Sequence, residues 1–142
     1  MITTNLGFPQ GGVCSAKFWI IAFNEAAEIL NTHGVTGELF ADDGNGIIGG
    51  TDIELMATKL NRVCRDLSHW GSKCGLIFNP TKTVAMLFTH SNKTHKKFKN
   101  QKLIKMDNVK ITFSDTVKYL GITLDRKLAW RPHIEDLSLI HI

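Results

Sequence analysis

The chain has 142 residues, 43% hydrophobic and 21% charged, a balance that excludes a disordered tail and allows one modest domain with a real core. The net charge of +4 is uneven: residues 93–110 hold seven lysines against one acid, so this segment contributes +6 and the rest of the chain −2. Three scattered cysteines, Cys14, Cys64 and Cys74, fit reduced intracellular thiols better than a disulfide framework. The most apolar stretch, Phe18 to Ala27, is too short to span a bilayer and contains Asn24 and Glu25; Met1 to Gln10 has no signal-peptide pattern, and no membrane partner is expected.

In chain order, Met1 to Asn5 forms no clear element, and Gly7-Phe8-Pro9-Gln10-Gly11-Gly12 is a stiff, glycine-rich loop. Pro9 fixes its own φ, and Gly11 and Gly12 allow close approach of a ligand or another backbone. Ser15 is a plausible N-cap for a helix over Ala16 to Asn31. That helix is apolar on most sides, which predicts burial, with Trp19 and Phe23 as core residues and Gly34 as the stop.

Glu38 to Ile48 comes next: an apolar run, two adjacent carboxylates, two glycines and a second apolar run. Leu39 to Ala41 and Ile47 to Ile48 read as strands of a hairpin with Asp42 and Asp43 at its tip. Two carboxylates about 4 Å apart repel by roughly 4 kcal/mol at an effective dielectric near 20. A hard divalent cation such as magnesium would relieve this, and a solvated Asp-Asp-Gly turn equally fits the stretch taken alone.

Thr51-x-x-Glu54 is a capping box for a second helix, whose stripe is Ile53, Met56, Leu60, Val63, Leu67 and Trp70, ending at Gly71 or Gly75. Cys64, His69 and Cys74 supply three ligands at zinc-knuckle spacing, but Asn61 stands where the fourth would fall, and the stretch lies on a helix. Leu76 to Phe78 and Val84 to Thr89 read as strands around an Asn79-Pro80-Thr81-Lys82 turn. The lysine-rich segment reads as a basic loop that either solvates or contacts nucleic-acid phosphates through Lys96, Lys97 and Lys99. Val109 to Phe113 alternates as a strand, Val117 to Leu124 is a further strand interrupted by Gly121, and His133 to Ile142 could begin a helix. The order suggests an α+β fold with helices on one face of an antiparallel sheet.

Several of these stretches together resemble reverse transcriptases. Gly7 to Ser15 looks like the G-x-P-Q-G-x-x-x-S motif, and Phe40-Ala41-Asp42-Asp43 looks like the Y/F-x-D-D box. Leu76 to Thr83 is similar to the next palm motif, and Val117 to Ile122 to the primer grip. Leu128 to Ile134 is similar to the segment just after the primer grip in non-LTR retrotransposons of the jockey type. The resemblance implies a polymerase palm, incomplete at the N-terminal side. By it, residues 1–92 are a partial palm, 93–108 a basic loop, 109–136 the primer-grip hairpin and the start of a thumb, and 137–142 an unassigned tail.

The resemblance also implies roles. Asp42 would be the main magnesium ligand (with manganese as an alternative ion) and Asp43 a weaker or indirect one, while Lys82 would neutralise or protonate the leaving pyrophosphate. Pro9, Gln10 and Gly11 would meet the template and the incoming dNTP, and Tyr119, Leu120 and Gly121 would hold the primer end. The implied partners are an RNA template, a DNA primer, dNTPs and the fingers and N-terminal palm segment of the same polyprotein; the implied setting is intracellular, in the nucleus during integration or in a cytoplasmic ribonucleoprotein. Phe40 replaces the commoner Tyr and is expected to pack beneath the site, and Ala16 stands where Pro is frequent. In the family a further metal-binding Asp comes from a strand upstream of the glycine-rich loop; the six residues before Gly7 contain no acid, so little activity and an open sheet edge are expected of this chain alone.

Overall fold

The computed structural model describes residues 12–101 and 103–138, and these divide into two compact units, one ending at Phe78 and one beginning at Asn79. The architecture is mixed helix and small antiparallel sheets, consistent with the α+β expectation. Among the described residues, the strands form three separate two-stranded hairpins in place of one continuous sheet. An isolated two-stranded hairpin is marginal in water, so each depends on what packs against it.

In the first unit, α1 (Ser15–Leu30), β1 (Thr36–Phe40), β2 (Asp43–Ile47) and α2 (Ile53–Cys74) share one core: Ala26, Leu30, Val35, Val63, Leu67 and Trp70. The stripe predicted for the second helix is the face that α2 buries. Its N-cap is Asp52, not Thr51: Oδ1 of Asp52 accepts from the Leu55 N–H at 3.0 Å. Gly75, at φ 73°, ends the helix in the left-handed conformation. Gly71 lies inside the helix, where a Cβ would stand 2.9 Å from the Leu76 carbonyl oxygen and 3.1 Å from the Phe78 ring. Asp66 on α2 lies 3.1 Å from Nε2 of His33; this hydrogen bond, with Arg65 alongside, holds its carboxyl below the usual range against partial desolvation.

The first helix departs from expectation. It ends at Leu30, with Asn31 as C-cap, before Gly34 is reached, and it buries only Ala26 and Leu30. Phe18, Ile20 and Ile21 remain 52–70% exposed. An all-round apolar helix needs partners on every side, and α2 and β1 cover one side of this one.

The second unit holds α3 (Asn92–Lys99), β3 (Ile104–Met106), β4 (Val109–Ile111), β5 (Thr116–Tyr119), β6 (Ile122–Asp125) and α4 (Arg131–Ser138). The segment expected as a basic loop thus contains a helix and a strand. Ser91 caps α3 by accepting from the Thr94 N–H, and α3 buries His95 and Phe98, three residues apart, on one side. Leu76 to Phe78 and Val84 to Thr89 are not strands; Ala85 makes a single bridge to Phe113. The strand predicted over Val117 to Leu124 is folded back on itself as β5 and β6, with Leu120 and Gly121 forming the turn.

Candidate functional site

The carboxylate pair sits where expected in sequence but on a tighter turn. Phe40 pairs directly with Asp43, so the loop is only Ala41 and Asp42, and Asp43 opens β2. Ala41 has φ 54°, the sign that primed two-residue hairpin turns require at their first loop position. For an L residue this conformation is strained, at a cost of about 1–2 kcal/mol. The strain is opposed by a strap: Nε1 of Trp19, on α1, donates to the Ala41 carbonyl at 3.0 Å. Trp19 stacks on Phe23 at 4.0 Å between ring centroids, Phe23 meets Trp70 edge-on at 5.3 Å, and Trp70 leans on Phe78. The indole of Trp70 donates to Glu25 at 3.1 Å. A chain of half-buried and buried rings therefore runs from the carboxylate turn into the core of this unit.

The glycines beyond the pair are strand residues. Gly44 and Gly46 belong to β2 and face Leu39 and Gly37 across the hairpin. A Cβ at Gly37 would stand 2.6 Å from the Asn45 carbonyl oxygen and 2.9 Å from Cβ of Leu30. One at Gly44 would stand 2.9 Å from Cδ2 of Leu39, and one at Gly46 3.2 Å from Cγ1 of Val35. These glycines let the hairpin lie against α1 and the Val35 loop, the close-approach use of glycine in a strand. Asn31 tightens the join: its side-chain amide donates to the Gly37 carbonyl at 2.9 Å and its Oδ1 accepts from the Gly37 N–H at 3.1 Å.

The other face of the hairpin carries Glu38, Phe40, Asp43 and Asn45, since directly paired residues share a face. Phe40 is 63% exposed on that face, so its ring does not pack beneath the carboxylates as expected. Asp42 and Asp43 are both exposed. Their oxygen donors suit a hard cation, but among the described residues no group of three or more His, Cys, Asp or Glu could hold a metal ion. Cys64, His69 and Cys74 make no zinc site by the same count. A shallow concavity of about 190 Å³ between α1 and α2, lined by Glu25, Asp66, His69 and Lys73 among others, holds neither Asp42 nor Asp43.

The remaining expected site residues fall into separate places. Pro9, Gln10 and Gly11 lie outside the described residues. Lys82 is exposed on a turn organised by Asn79, whose Oδ1 accepts from the Thr81 N–H at 3.0 Å and whose carbonyl accepts from the Lys82 and Thr83 N–H groups. Tyr119, Leu120 and Gly121 come together at the β5–β6 tip, where Leu120 and Gly121 have φ of 47° and 82°, the pattern of a type I′ turn. Lys96, Lys97 and Lys99 share α3. Lys97 reaches over the Phe98 ring at 4.8 Å, and Lys96 is exposed. Lys99 donates to Oδ2 of Asp115, and Nε2 of His95 lies 2.8 Å from the other oxygen. The Lys99 ammonium foremost holds the Asp115 carboxyl below the usual range; partial desolvation opposes it, and His95 and Arg126 add to the lowering.

Two residues that sequence reasoning passed over organise the second unit. Asp125 accepts from the backbone N–H groups of Lys127, Ala129 and Trp130 at 3.0, 2.6 and 3.1 Å. Partial desolvation raises its carboxyl, but these donors outweigh it and the net position is below the usual range. Thr123, buried on β6, donates its N–H to Nδ1 of His133 and its hydroxyl to Asp136, which ties α4 to the hairpin. An Asp followed by a short loop and a helix is the one sequence signal that could have found Asp125; Thr123 carries none.

Comparison with known proteins closes the identification. The profile of the family described as Reverse transcriptase (RNA-dependent DNA polymerase) matches residues 1–124. The chain is 28% identical over 130 residues to the Retrovirus-related Pol polyprotein from type-1 retrotransposable element R1 of Bradysia coprophila. That alignment covers 89% of this chain and 12% of the relative's length. No solved structure matches the chain. With most of its length matched by that profile, and with a retrotransposon polyprotein among its relatives, the chain belongs to the reverse transcriptase family, the RNA-dependent DNA polymerases.

Proposed function

We propose that this chain is a piece of the palm of a non-LTR retrotransposon polymerase, and that in its full-length parent it helps to add dNTPs to a primer 3′-hydroxyl on an RNA template. The observation that carries the reading is the tight hairpin that presents Asp42 in its two-residue turn and Asp43 at the start of β2, strapped by Trp19, in a chain of this family. In this reaction the hydroxyl oxygen bonds to the α-phosphorus of the dNTP, pyrophosphate leaves, and the hydroxyl proton is lost. A bound pair of magnesium ions would supply charge neutralisation at both oxygens. Asp42 and Asp43 would hold part of that charge, and a carboxylate from elsewhere in the parent would complete it. Lys82 would neutralise or protonate the pyrophosphate. Pro9, Gln10 and Gly11 would line the template and nucleotide side, and Tyr119, Leu120 and Gly121 would fix the primer end.

The apolar side of α1, with Ile20 and Ile21, is a surface that the fingers and N-terminal palm segment of the parent would cover. Lys96 and Lys97 would meet nucleic-acid phosphates, while Lys99 is already held by Asp115. Because the described carboxylates fall short of a complete site, the isolated chain is expected to give no primer extension on an RNA template with magnesium. Robust synthesis by the isolated chain would contradict the reasoning.

A second reading, a non-catalytic palm remnant that binds nucleic acid, is favoured by the charge division. The unit beginning at Asn79 has twelve Lys and Arg against five acids, a net of +7. Salt-dependent binding by the full-length parent, without magnesium-dependent synthesis, would select it.

A further inference from the structure

The loop between β6 and α4 holds a large aromatic side chain in an unusual way. Trp130 has φ 61° and Leu128 φ 54°, both in the region that L residues avoid because Cβ meets the following carbonyl. Such positions persist only when their surroundings over-determine them, and they gather at binding sites. Asp125 supplies the constraint, with one carboxylate oxygen accepting from the Ala129 and Trp130 N–H groups and the other from that of Lys127. The helix adds a second constraint. The Trp130 carbonyl accepts the first α4 bond, from the Ile134 N–H, and the ring sits edge-on to His133 at 6.4 Å between centroids. His133 is itself fixed, since its Nδ1 accepts from the Thr123 N–H at 3.3 Å; the ring proton of the neutral imidazole is therefore on Nε2.

All this scaffolding holds a tryptophan that is 47% exposed. Trp70 in the first unit, by contrast, is only 4% exposed. Lys127 and Arg131 flank the loop, and both are exposed. The ring is thus offered to solvent within a strongly basic unit, a combination that fits a polyanion bearing flat apolar faces.

We propose that Trp130 is a stacking platform for an unpaired nucleobase of single-stranded nucleic acid. The proposal rests on the nucleic-acid reading above and adds a contact outside the primer-grip tip. An aromatic face accepts any base, so the site is tolerant of sequence. Because Asp125 and His133 already fix the ring, little ordering is needed on binding.

The test is titration of the full chain with single-stranded oligodeoxythymidine, monitored by tryptophan emission and by anisotropy of a labelled strand. Trp70 is buried and Trp19 half-buried, so stacking on Trp130 is expected to dominate the quenching. Trp130→Phe should abolish most of the quench while keeping affinity within about threefold, since Phe still stacks. Trp130→Ala should weaken binding about tenfold or more. An undiminished quench in Trp130→Phe, or unchanged affinity in Trp130→Ala, overturns the proposal. If Trp130→Ala fails to fold, the Trp130→Phe quench decides alone. If Lys96→Gln with Lys97→Gln lowers affinity and the salt slope while the Trp130 variants bind and quench as wild type, the stacking site fails and the nucleic-acid reading survives. No binding by the wild-type chain overturns both.

Discussion

Replacing Gly37 by Ala tests whether the carboxylate turn is positioned by close packing of its hairpin. The added Cβ would meet the Asn45 carbonyl oxygen at 2.6 Å and Cβ of Leu30 at 2.9 Å, neither of which is the free end of a flexible side chain. The strand, the helix or both must shift. Forcing a methyl group into a filled interior typically costs about 1–3 kcal/mol. For a unit of this size 1 kcal/mol lowers Tm by roughly 4–8 °C, so a cost of about 2 kcal/mol corresponds to roughly 8–16 °C. The other glycines grade the effect. At Gly44 the obstacle is Cδ2 of Leu39 at 2.9 Å, a side-chain end that can swing, and at Gly46 it is Cγ1 of Val35 at 3.2 Å. At Gly49 nothing lies within 4 Å. Gly49→Ala is then expected to be neutral, or to stabilise by up to about 1 kcal/mol through loss of freedom in the unfolded chain. Thermal unfolding of the four single variants should rank Gly37→Ala lowest, then Gly44→Ala and Gly46→Ala, with Gly49→Ala at or above wild type. A Gly37→Ala variant as stable as Gly49→Ala would refute the close-approach reasoning.

Two further outcomes rest on the same geometry. Ala41→Gly should relieve the positive φ and raise stability by about 1 kcal/mol in chemical denaturation, whereas a loss would show that the Cβ of Ala41 makes a favourable contact. Asp115 has its carboxyl depressed in the fold, so its contribution is present above the ordinary carboxylate value of about 3.9 and is lost as pH falls through the lower folded value. Hydrogen exchange of the α3 amides should show protection falling as acid passes below about pH 4, and Asp115→Asn should remove that dependence. Because Asp115 is half exposed, solvent screens the pair and the effect should be local to α3, leaving the rest of the unit folded.

The helices were legible for a plain reason. A stripe such as Ile53, Met56, Leu60, Val63, Leu67 and Trp70 has one geometric solution, and α2 adopts it. The Asp-Asp hairpin was legible too, but the glycines between its two expected strands lie in β2 and not in the turn. Glycine serves both turns and close packing, and only the position of Leu30 and Val35 separates the two uses. The helix α3 was hidden because it is polar apart from Phe98, and its buried pair, His95 and Phe98, gives too short a period to read. Leu76 to Phe78 has strand composition, yet a strand needs a partner, and no local pattern reports one. Asp125 and Thr123 act through hydrogen bonds to backbone and side chains whose placement depends on the folded hairpin. The exposed apolar side of α1 reflects the same limit: hydrophobicity says that a face wants cover and does not say what supplies it.

The most direct test of the central claim is magnesium-dependent primer extension on an RNA template by the full-length parent polymerase, wild type against Asp42→Asn. The substitution keeps the shape of the exposed turn residue and removes one negative charge, so folding should be retained, as circular dichroism would verify. The account predicts extension by the wild type and its loss in Asp42→Asn, by about a hundredfold to a thousandfold on the usual size of such electrostatic contributions, roughly 2.7–4 kcal/mol. Extension by Asp42→Asn at the wild-type rate would contradict the metal-binding role of the turn.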